Sequence, residues 1–309
     1  MEFLTLPATD PDSVSIGATQ LVPPELLERL PIAETLVAIA TYNERRTLPS
    51  LVEVIRLVLP TVGILIIDDA SPDGTGEWCR EYGNGDPRLF LIERSGKLGL
   101  GTALTAAMRF AVDQGFRYLI TMDADHSHPP ALLPRMIAAV EGIEGMDPDA
   151  LMENELESKK TGPEKASPVV DTPDAAKKNR LSVAALPDVV IGSRYCPGGS
   201  ISGWSLRRHL MSRTINLYSR WILRIPARDC SGGYRCYRVE KLPPALEKPL
   251  LSEGYSFEEE ILWRLCRRGA RITELPIRFV NRVHGSSKLR LGGIFAAISV
   301  LLRMTFSRS

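Results

Sequence analysis

Residues 118–130 read YLITMDADHSHPP, which joins an apolar run of β-forming residues to two aspartates and a double proline. The apolar run predicts a buried strand that ends near Met122. Asp123 and Asp125 follow at once, so their carboxylates are expected at the carboxyl end of that strand. Pro129 and Pro130 suit the first turn of a helix. The stretch therefore predicts one strand–loop–helix unit.

Similar units precede this one along the chain. Short β-forming runs alternate with amphipathic helical stretches from about residue 34 to residue 140. The predicted strands are 36–41, 64–68, 89–92 and 118–122, and the predicted helices are 47–59, 75–81, 101–114 and 130–140. Strands separated by helices of this length predict an α/β fold, a doubly wound and mostly parallel sheet flanked by helices.

The pattern resumes after residue 187. We predict a strand at 188–191, an arginine-rich helix at 206–223, a loop at 229–237, a helix at 256–268 and a strand near 271–275. Residues 141–187 contain no aromatic residue and are dense in Glu, Asp, Lys and Pro. Such a segment buries too little apolar surface to offset its ordering entropy, which predicts a disordered insertion.

These patterns divide the chain into three parts. Residues 1–33 are interpreted as an N-terminal extension, and 34–290 as one domain that carries the insertion. Residues 291–309 are predicted to form an amphipathic or membrane-associated helix, which contacts either lipid or a membrane partner subunit.

Composition excludes several classes of protein. The formal net charge of the 309 residues is +1, which argues against nucleic-acid binding because phosphate-backbone affinity needs a basic excess. The five cysteines are odd in number and form no CxxC, as expected of reduced thiols in a cytoplasmic protein. From its N-terminal residues and its apolar runs, the sequence predicts neither a secretory signal nor a membrane span, which needs roughly 20 apolar residues.

Acidic residues follow two of the predicted strands. Asp68 and Asp69 end the second, and Asp123 and Asp125 follow the fourth. Ligands of open parallel sheets bind beyond the carboxyl ends of the strands. Two carboxylates at i and i+2 can hold Mg²⁺ or Mn²⁺ against substrate phosphates. Asp69 fits a hydrogen bond to a nucleobase or ribose, or equally a turn cap.

Seven motifs occur in the order found in a known family. The chain resembles family 2 glycosyltransferases of the GT-A fold, and among them the dolichol-phosphate (polyprenol-phosphate) mannosyltransferases. The matching stretches are TYNE from Thr41, IIDDASPDGT from Ile66, GKLGLG from Gly96, MDADHSHPP from Met122, VIGSRY from Val190, GYSFEEEIL from Gly254 and RVHGSSKL from Arg282. His126 stands where the family usually has Leu, and the insertion is unusually long.

The resemblance implies GDP-mannose as the donor and a dolichyl or polyprenyl phosphate as the acceptor. By motif position the nucleotide is held by Ala40, Tyr42, Glu44, Ile67 and Asp69. The resemblance also implies that Asp123, Ala124 and Asp125 would hold the metal and the diphosphate, with Ser127 at the place of a further metal ligand. Arg194, Arg282 and Lys288 would bind phosphates of donor and acceptor, which makes Asp125, Arg194 and Arg282 the expected catalytic residues.

The arginine-rich helix is a candidate acceptor site. It fits either an interfacial helix whose guanidiniums meet lipid phosphates or a core-packing helix with a solvated arginine side. Arg208 and Ser212 lie one turn apart and are predicted to contact the acceptor phosphate. A phosphate monoester with a second pKa near ~6 is already anionic at neutral pH, so it needs positioning rather than a strong base. A single displacement then inverts the anomeric carbon.

Two alternatives stay open on the sequence. One is a polyprenyl-phosphate glucosyltransferase that uses UDP-glucose. The other, from a different class, is an inert nucleotide-sugar-binding membrane scaffold. The preferred hypothesis is a mannosyltransferase that is peripheral to the cytoplasmic face of a membrane.

Overall fold

The computed structural model of the protein describes residues 27–143, 186–252, 254, 256–281 and 300–305. Residues 300–305 are helical. Most of the predicted extension, insertion and terminal helix lies outside the described residues. The strands are β1 Thr35–Thr41, β2 Gly63–Asp68, β3 Leu89–Glu93, β4 Tyr118–Asp123, β5 Val189–Ser193, β6 Ser200–Ser202, β7 Arg235–Arg238, β8 Ile272–Pro276 and β9 Arg278–Val280. The α-helices are α1 Leu48–Val58, α2 Thr75–Gly83, α3 Leu100–Asp113, α4 Leu133–Glu141, α5 Leu206–Trp221, α6 Leu242–Leu246 and α7 Phe257–Arg267.

A seven-stranded sheet in the order β3-β2-β1-β4-β7-β5-β8 forms the centre of the molecule. Strands β3, β2, β1 and β4 pair in parallel, and so do β5 and β8. Strand β7 alone runs antiparallel, against both β4 and β5. The predicted doubly wound, mostly parallel sheet is confirmed. Strands β6 and β9 form a separate parallel pair.

Strand β7 corrects one sequence-based prediction. Residues 229–237 were expected to form a loop, yet Arg235–Arg238 insert into the sheet. The strand is only four residues long, and its first residue is a fully buried arginine. The Arg235 guanidinium donates to the Glu258 and Cys230 carbonyl oxygens at 2.7 Å and 2.6 Å. These tertiary partners, which local sequence cannot reveal, allow a charged residue to occupy a central strand.

Helices cover both faces of the sheet. Along β1, Val37 and Ile39 pack on one face with apolar residues of α1 and α4, whereas Leu36 and Ala38 pack on the other with α3 and α7. This alternation follows from the two-residue period of a strand. Because both faces are covered, the free surface of the sheet lies at the ends of its strands.

The buried face of α1 gives a test of this packing. Leu51 is fully buried, whereas Leu57, on the same helix, is 64% exposed. We expect Leu51→Ala to lower the free energy of unfolding by about 2–5 kcal/mol, because it leaves a cavity in the core. Leu57→Ala should change it by less than about 0.5 kcal/mol. Urea denaturation followed by circular dichroism measures both, and equal effects would contradict the packing.

Candidate active site

The loops after β2 and β4 lie on either side of the end of β1. Ala40 of β1 pairs with Ile67 of β2 on one side and with Asp123 of β4 on the other. The amide of Asp69 donates to the Thr41 carbonyl oxygen at 3.1 Å. The two acidic segments predicted at one edge of the sheet do lie at that edge, separated by one strand.

Each of these three strands is followed by a residue in the left-handed backbone region. Asn43 has φ 61°, Ala70 has φ 53° and His126 has φ 59°. For residues other than glycine this conformation is strained, and such strain concentrates where a site must hold groups in a set geometry. The three loops turn sharply at the same end of the sheet.

Asp68 has a structural role in the β2 loop. Its carboxylate is buried and accepts hydrogen bonds from the Thr41 hydroxyl at 2.8 Å and from the Ser71 amide at 2.9 Å. Ser71 in turn accepts from the Asn43 amide at 2.9 Å. These bonds fix the β1 and β2 loops to each other.

Two of the predicted nucleotide contacts lie in the β1 loop. The ammonium of Lys97 stands 4.1 Å from the centre of the Tyr42 ring, which brings the glycine-rich turn before α3 to this loop. The amide of Glu44 donates to the Thr75 hydroxyl at 3.1 Å. The side chains of Tyr42 and Glu44 are both partly exposed at this end of the sheet.

Asp69 meets a cation that the sequence analysis missed. Its carboxylate forms a buried ion pair with Arg94, which directly follows β3. Arg94 also donates to the Thr102 hydroxyl at 2.6 Å and to the Gly99 carbonyl oxygen at 3.1 Å. A nucleotide in this crevice would therefore meet an ion pair. The signal in the sequence was a basic residue at the end of a strand parallel to β2.

The aspartates of the β4 loop differ in exposure. The side chain of Asp123 is 50% exposed, and Asp125 is partly exposed and accepts from the Ser127 amide at 3.1 Å. Ser127 is buried, as are Ala124 and, in β2, Ile67. The Ile67 side chain belongs to the core, so it presents no side-chain group to a ligand.

His128 positions the β4 loop, a role that the sequence analysis did not assign. Its Nδ1 accepts the Asp123 amide at 2.9 Å, and its ring stacks on Tyr234 with 4.8 Å between centres. Burial lowers the pKa of His128 and favours the neutral ring that such acceptance requires.

The carboxylates of the β4 end fit a divalent cation whose coordination is completed by the substrate. Within the described ranges, no three His, Cys, Asp or Glu side chains converge as a preformed metal cage. Asp123 and Asp125 offer two carboxylates at one loop. Mg²⁺ and Mn²⁺ commonly bind through one or two carboxylates and take their remaining ligands from water and substrate phosphates.

A cavity of about 200 Å³ opens beside Asp123. It unites five residues predicted from the sequence, namely Ala40, Asp123, Arg194, Arg208 and Ser212. Trp204, Ser231, Glu258 and Glu259 also line it. One of the two candidate metal-binding carboxylates, Asp123, thus faces the same space as two guanidiniums that suit phosphate.

Comparison with known proteins identifies the family. Residues 36–145 match glycosyl transferase family 2. Polyprenol monophosphomannose synthase of Mycolicibacterium smegmatis is 35% identical over 260 residues, which is 84% of this chain and 82% of that protein. The chain belongs to glycosyl transferase family 2.

Two further comparisons agree. Undecaprenyl-phosphate mannosyltransferase of Micrococcus luteus is 34% identical over 259 residues, or 84% of this chain and 88% of that protein. Glucosyl-3-phosphoglycerate synthase from Mycobacterium tuberculosis, solved with Mn²⁺, uridine diphosphate and phosphoglyceric acid, aligns with a TM-score of 0.57 and 18% identity, over 92% of this chain and 84% of that one. This likeness confirms the GT-A fold of the glycosyltransferase.

Arg194 of the glycosyltransferase is held by a buried ion pair. Its Nε and Nη2 donate to the two carboxylate oxygens of Asp229 at 2.7 Å and 2.6 Å. Burial by itself lowers the pKa of Arg194, but the charge and hydrogen bonds of Asp229 outweigh it and raise the pKa. The same pairing outweighs burial at Asp229 and lowers its pKa. Arg194 is thus a fixed cation in the cavity wall.

The predicted acceptor residues reach the cavity from α5. Arg208 lies over the Trp204 ring at 4.0 Å and donates to the Asn281 side-chain oxygen at 3.1 Å. The hydroxyl of Ser212 is buried and accepts from Tyr195 at 2.8 Å. Arg282 and Lys288, the other predicted phosphate contacts, lie outside the described residues.

The pairing of Arg194 predicts a large effect on stability. Asp229→Asn leaves a buried guanidinium without its counter-charge, so we expect the free energy of unfolding to fall by about 3–5 kcal/mol. Glu93→Gln breaks the exposed pair with Arg80 and serves as the control, with little change expected. Urea denaturation measures both variants. If both variants lost little free energy of unfolding, the Arg194–Asp229 pair would not be what stabilises the cavity wall.

Proposed function

We propose that the protein transfers mannose from GDP-mannose to a dolichyl or polyprenyl phosphate, with inversion at the anomeric carbon. The observation that carries this proposal is the cavity in which Asp123 of the β4 loop faces Arg194 and Arg208. A nucleotide sugar and a lipid phosphate are both anionic, and this cavity offers both a metal-binding edge and fixed cations. The names of the two relatives, both mannosyl transferring and both polyprenyl based, support the same reaction.

The proposed donor site is the crevice formed by the β1, β2 and β4 loops. Tyr42, Glu44 and the Asp69–Arg94 pair would hold the nucleotide at the end of β1, with backbone groups near Ala40 and Ile67. A polyprenyl-phosphate glucosyltransferase that uses UDP-glucose is the second candidate. Mannose in the names of both relatives favours the first.

Asp123 and Asp125 are the proposed ligands of Mg²⁺ or Mn²⁺, with Ser127 as a further ligand. A divalent ion there would supply Lewis-acid stabilisation of the charge that develops on the departing diphosphate. His128 keeps the loop in place through the Asp123 amide. Arg194, which its ion pair with Asp229 holds in place, is the proposed cation for the remaining phosphate charge, together with Arg282, which lies outside the described residues.

The acceptor phosphate is proposed to lie near Arg208 and Ser212, with Lys288 and Arg282 as further cationic contacts. A phosphate monoester, with a second pKa of about 6, is largely dianionic at neutral pH and is already a nucleophile. Orientation for in-line attack on the anomeric carbon is then the main requirement.

Helix α5 has its polar face inside and its apolar face outside. Ser212, Asn216 and Ser219 are its buried residues. The exposed apolar stripe consists of Leu206, Leu210, Leu217, Trp221 and the following Ile222, which are 51–88% exposed. A helix at a water-facing surface has the opposite arrangement. Arginines flank the stripe, as suits anionic lipid headgroups.

The apolar stripe of α5 supports peripheral attachment to a membrane, which we propose to be at the cytoplasmic face. In the described ranges, no helix is long and apolar enough to cross a bilayer. All five cysteines are free thiols, as expected in a reducing compartment. The stripe of α5 would rest in the lipid interface and bring the cavity to the acceptor phosphate.

A transfer assay tests the reaction. With a polyprenyl phosphate and Mn²⁺ or Mg²⁺, we expect lipid-linked mannose from GDP-mannose, little transfer from UDP-glucose, and loss of activity on chelation. Asp125→Asn should lower kcat/KM by about 10²–10³-fold or more, because it weakens charge stabilisation at the leaving group. Asp113→Asn, at an exposed position of α3, is the control. Transfer that persists after chelation would contradict the metal role, and preference for UDP-glucose would favour the second candidate.

Vesicle flotation tests the membrane surface. Leu210→Glu and Leu217→Glu should each weaken binding to anionic vesicles by about tenfold or more, because burying one leucine contributes about 1.5–3 kcal/mol. Leu57→Glu places the same change at an exposed position of α1, away from the stripe, and should bind as the wild type does. Equal effects at all three positions would refute a specific role for α5.

A further inference from the structure

Two carboxyl groups in the cavity beside Asp123 have no role in the reaction described so far. Glu258 and Glu259 begin α7, are 4% and 3% exposed, and both line the cavity together with Arg194. Carboxyl groups so deeply buried are rare unless they are fully paired.

The pairing of these two groups is incomplete. Arg235 comes within 2.8 Å of one Glu258 oxygen and forms an ion pair with it. Yet in the part of the chain that the structure describes, neither Glu258 carboxylate oxygen nor Oε2 of Glu259 has a hydrogen-bond partner. Burial raises the pKa of Glu258 to about 7 and that of Glu259 to about 8, which reflects the cost of this environment.

The next residue, Glu260, is a buried glutamate whose carboxylate is fully paired within the protein. Glu260 is fully buried, and its two oxygens accept the amides of Leu251 and Ser252 at 2.9 Å and 2.8 Å. It also pairs with Arg264 at 2.7 Å. The same helix turn therefore satisfies one glutamate within the protein, whereas the other two line the cavity and keep buried oxygens without hydrogen-bond partners among the described residues.

The chemistry of the substrates identifies the missing partner. The phosphates of donor and acceptor are anionic, so carboxylates repel them and Arg194 and Arg208 suit them. The hexose is neutral, is rich in hydroxyl donors and is bonded to the diphosphate proposed to lie at Asp123. A carboxyl group accepts hydrogen bonds whether or not it is protonated. Sugar hydroxyls are thus the substrate groups that match these oxygens.

We propose that Glu258 and Glu259 accept hydrogen bonds from hydroxyl groups of the donor hexose and thereby select the sugar that is transferred. This inference rests on the proposed function and adds its sugar-binding site. Mannose and glucose differ in the orientation of one hydroxyl group. A buried acceptor that the wrong sugar leaves unpaired discriminates strongly between them.

Glu259 is the residue to change. Neutralising Glu258 would remove the counter-charge of the fully buried Arg235, and the protein could fail to fold for that reason alone. Replacing Glu259 breaks no hydrogen bond at its Oε2, because that atom has no partner among the described residues. Glu259→Gln keeps the size of the side chain, and Glu260→Gln is a matched change at the neighbouring structural residue.

The test compares the affinities of GDP and GDP-mannose by calorimetry, with the full chain and Mn²⁺. Glu259→Gln should weaken the binding of GDP-mannose by about 10- to 100-fold, the cost of leaving a buried polar group without its hydrogen-bond partner, and should leave the binding of GDP unchanged. Glu260→Gln should lower the melting temperature but not the ratio of the two affinities. The ratio of kcat/KM for GDP-mannose to kcat/KM for GDP-glucose should fall towards one in Glu259→Gln, and it should stay unchanged in Glu260→Gln.

Equal weakening of GDP and GDP-mannose, or no change in either, would overturn the inference. If the wild type binds UDP and UDP-glucose instead of GDP and GDP-mannose, the proposed donor is wrong. The ratio of the affinities for UDP and UDP-glucose then still tests the role of Glu259. If the wild type binds neither pair, the proposed function and this inference fail together.

Discussion

Parallel pairing of β1 with both β2 and β4 sets where the residues of the candidate site lie. Because the three strands run in the same direction, their loops leave from one edge, and the register puts Ile67 and Asp123 on opposite sides of Ala40. The Asp69–Arg94 pair and the two β4 aspartates then lie about two strand spacings apart, roughly 10 Å. An antiparallel neighbour in place of β2 or β4 would send one of these loops to the opposite edge.

Charge burial shapes the second half of the site. Arg194 is neutralised by Asp229, and Arg235 lies beside Glu258, so the cavity wall holds fixed charges whose desolvation is largely offset by their partners. Glu259, in the same wall, has an Oε2 atom without a hydrogen-bond partner among the described residues. The left-handed residues Asn43 and Ala70 are a similar local cost in the β1 and β2 loops. Both costs fall at the loops and the cavity that are proposed to bind the substrates.

Helix α5 links this cavity to the outer surface. Its buried serines and asparagine belong to a polar interior, and its leucines and Trp221 face outward. The sequence left two interpretations of this helix open, an interfacial helix and a core-packing helix with solvated arginines. The exposed surface of the helix favours an interfacial helix, because the exposed side chains include its leucines.

The sequence by itself determined the parallel sheet, because two-residue and helical periods alternate along residues 34–140, and it placed acids after β2 and β4. It also supplied the family through its motifs. Only the tertiary structure decided that β7 inserts antiparallel, that Arg94 holds Asp69, that His128 fixes the β4 loop and that Glu258 and Glu259 face the cavity. The physical reason is common to all four. Each depends at least in part on residues far apart in sequence, such as Tyr234, whose ring stacks on His128, and local periodicity carries no information about such contacts.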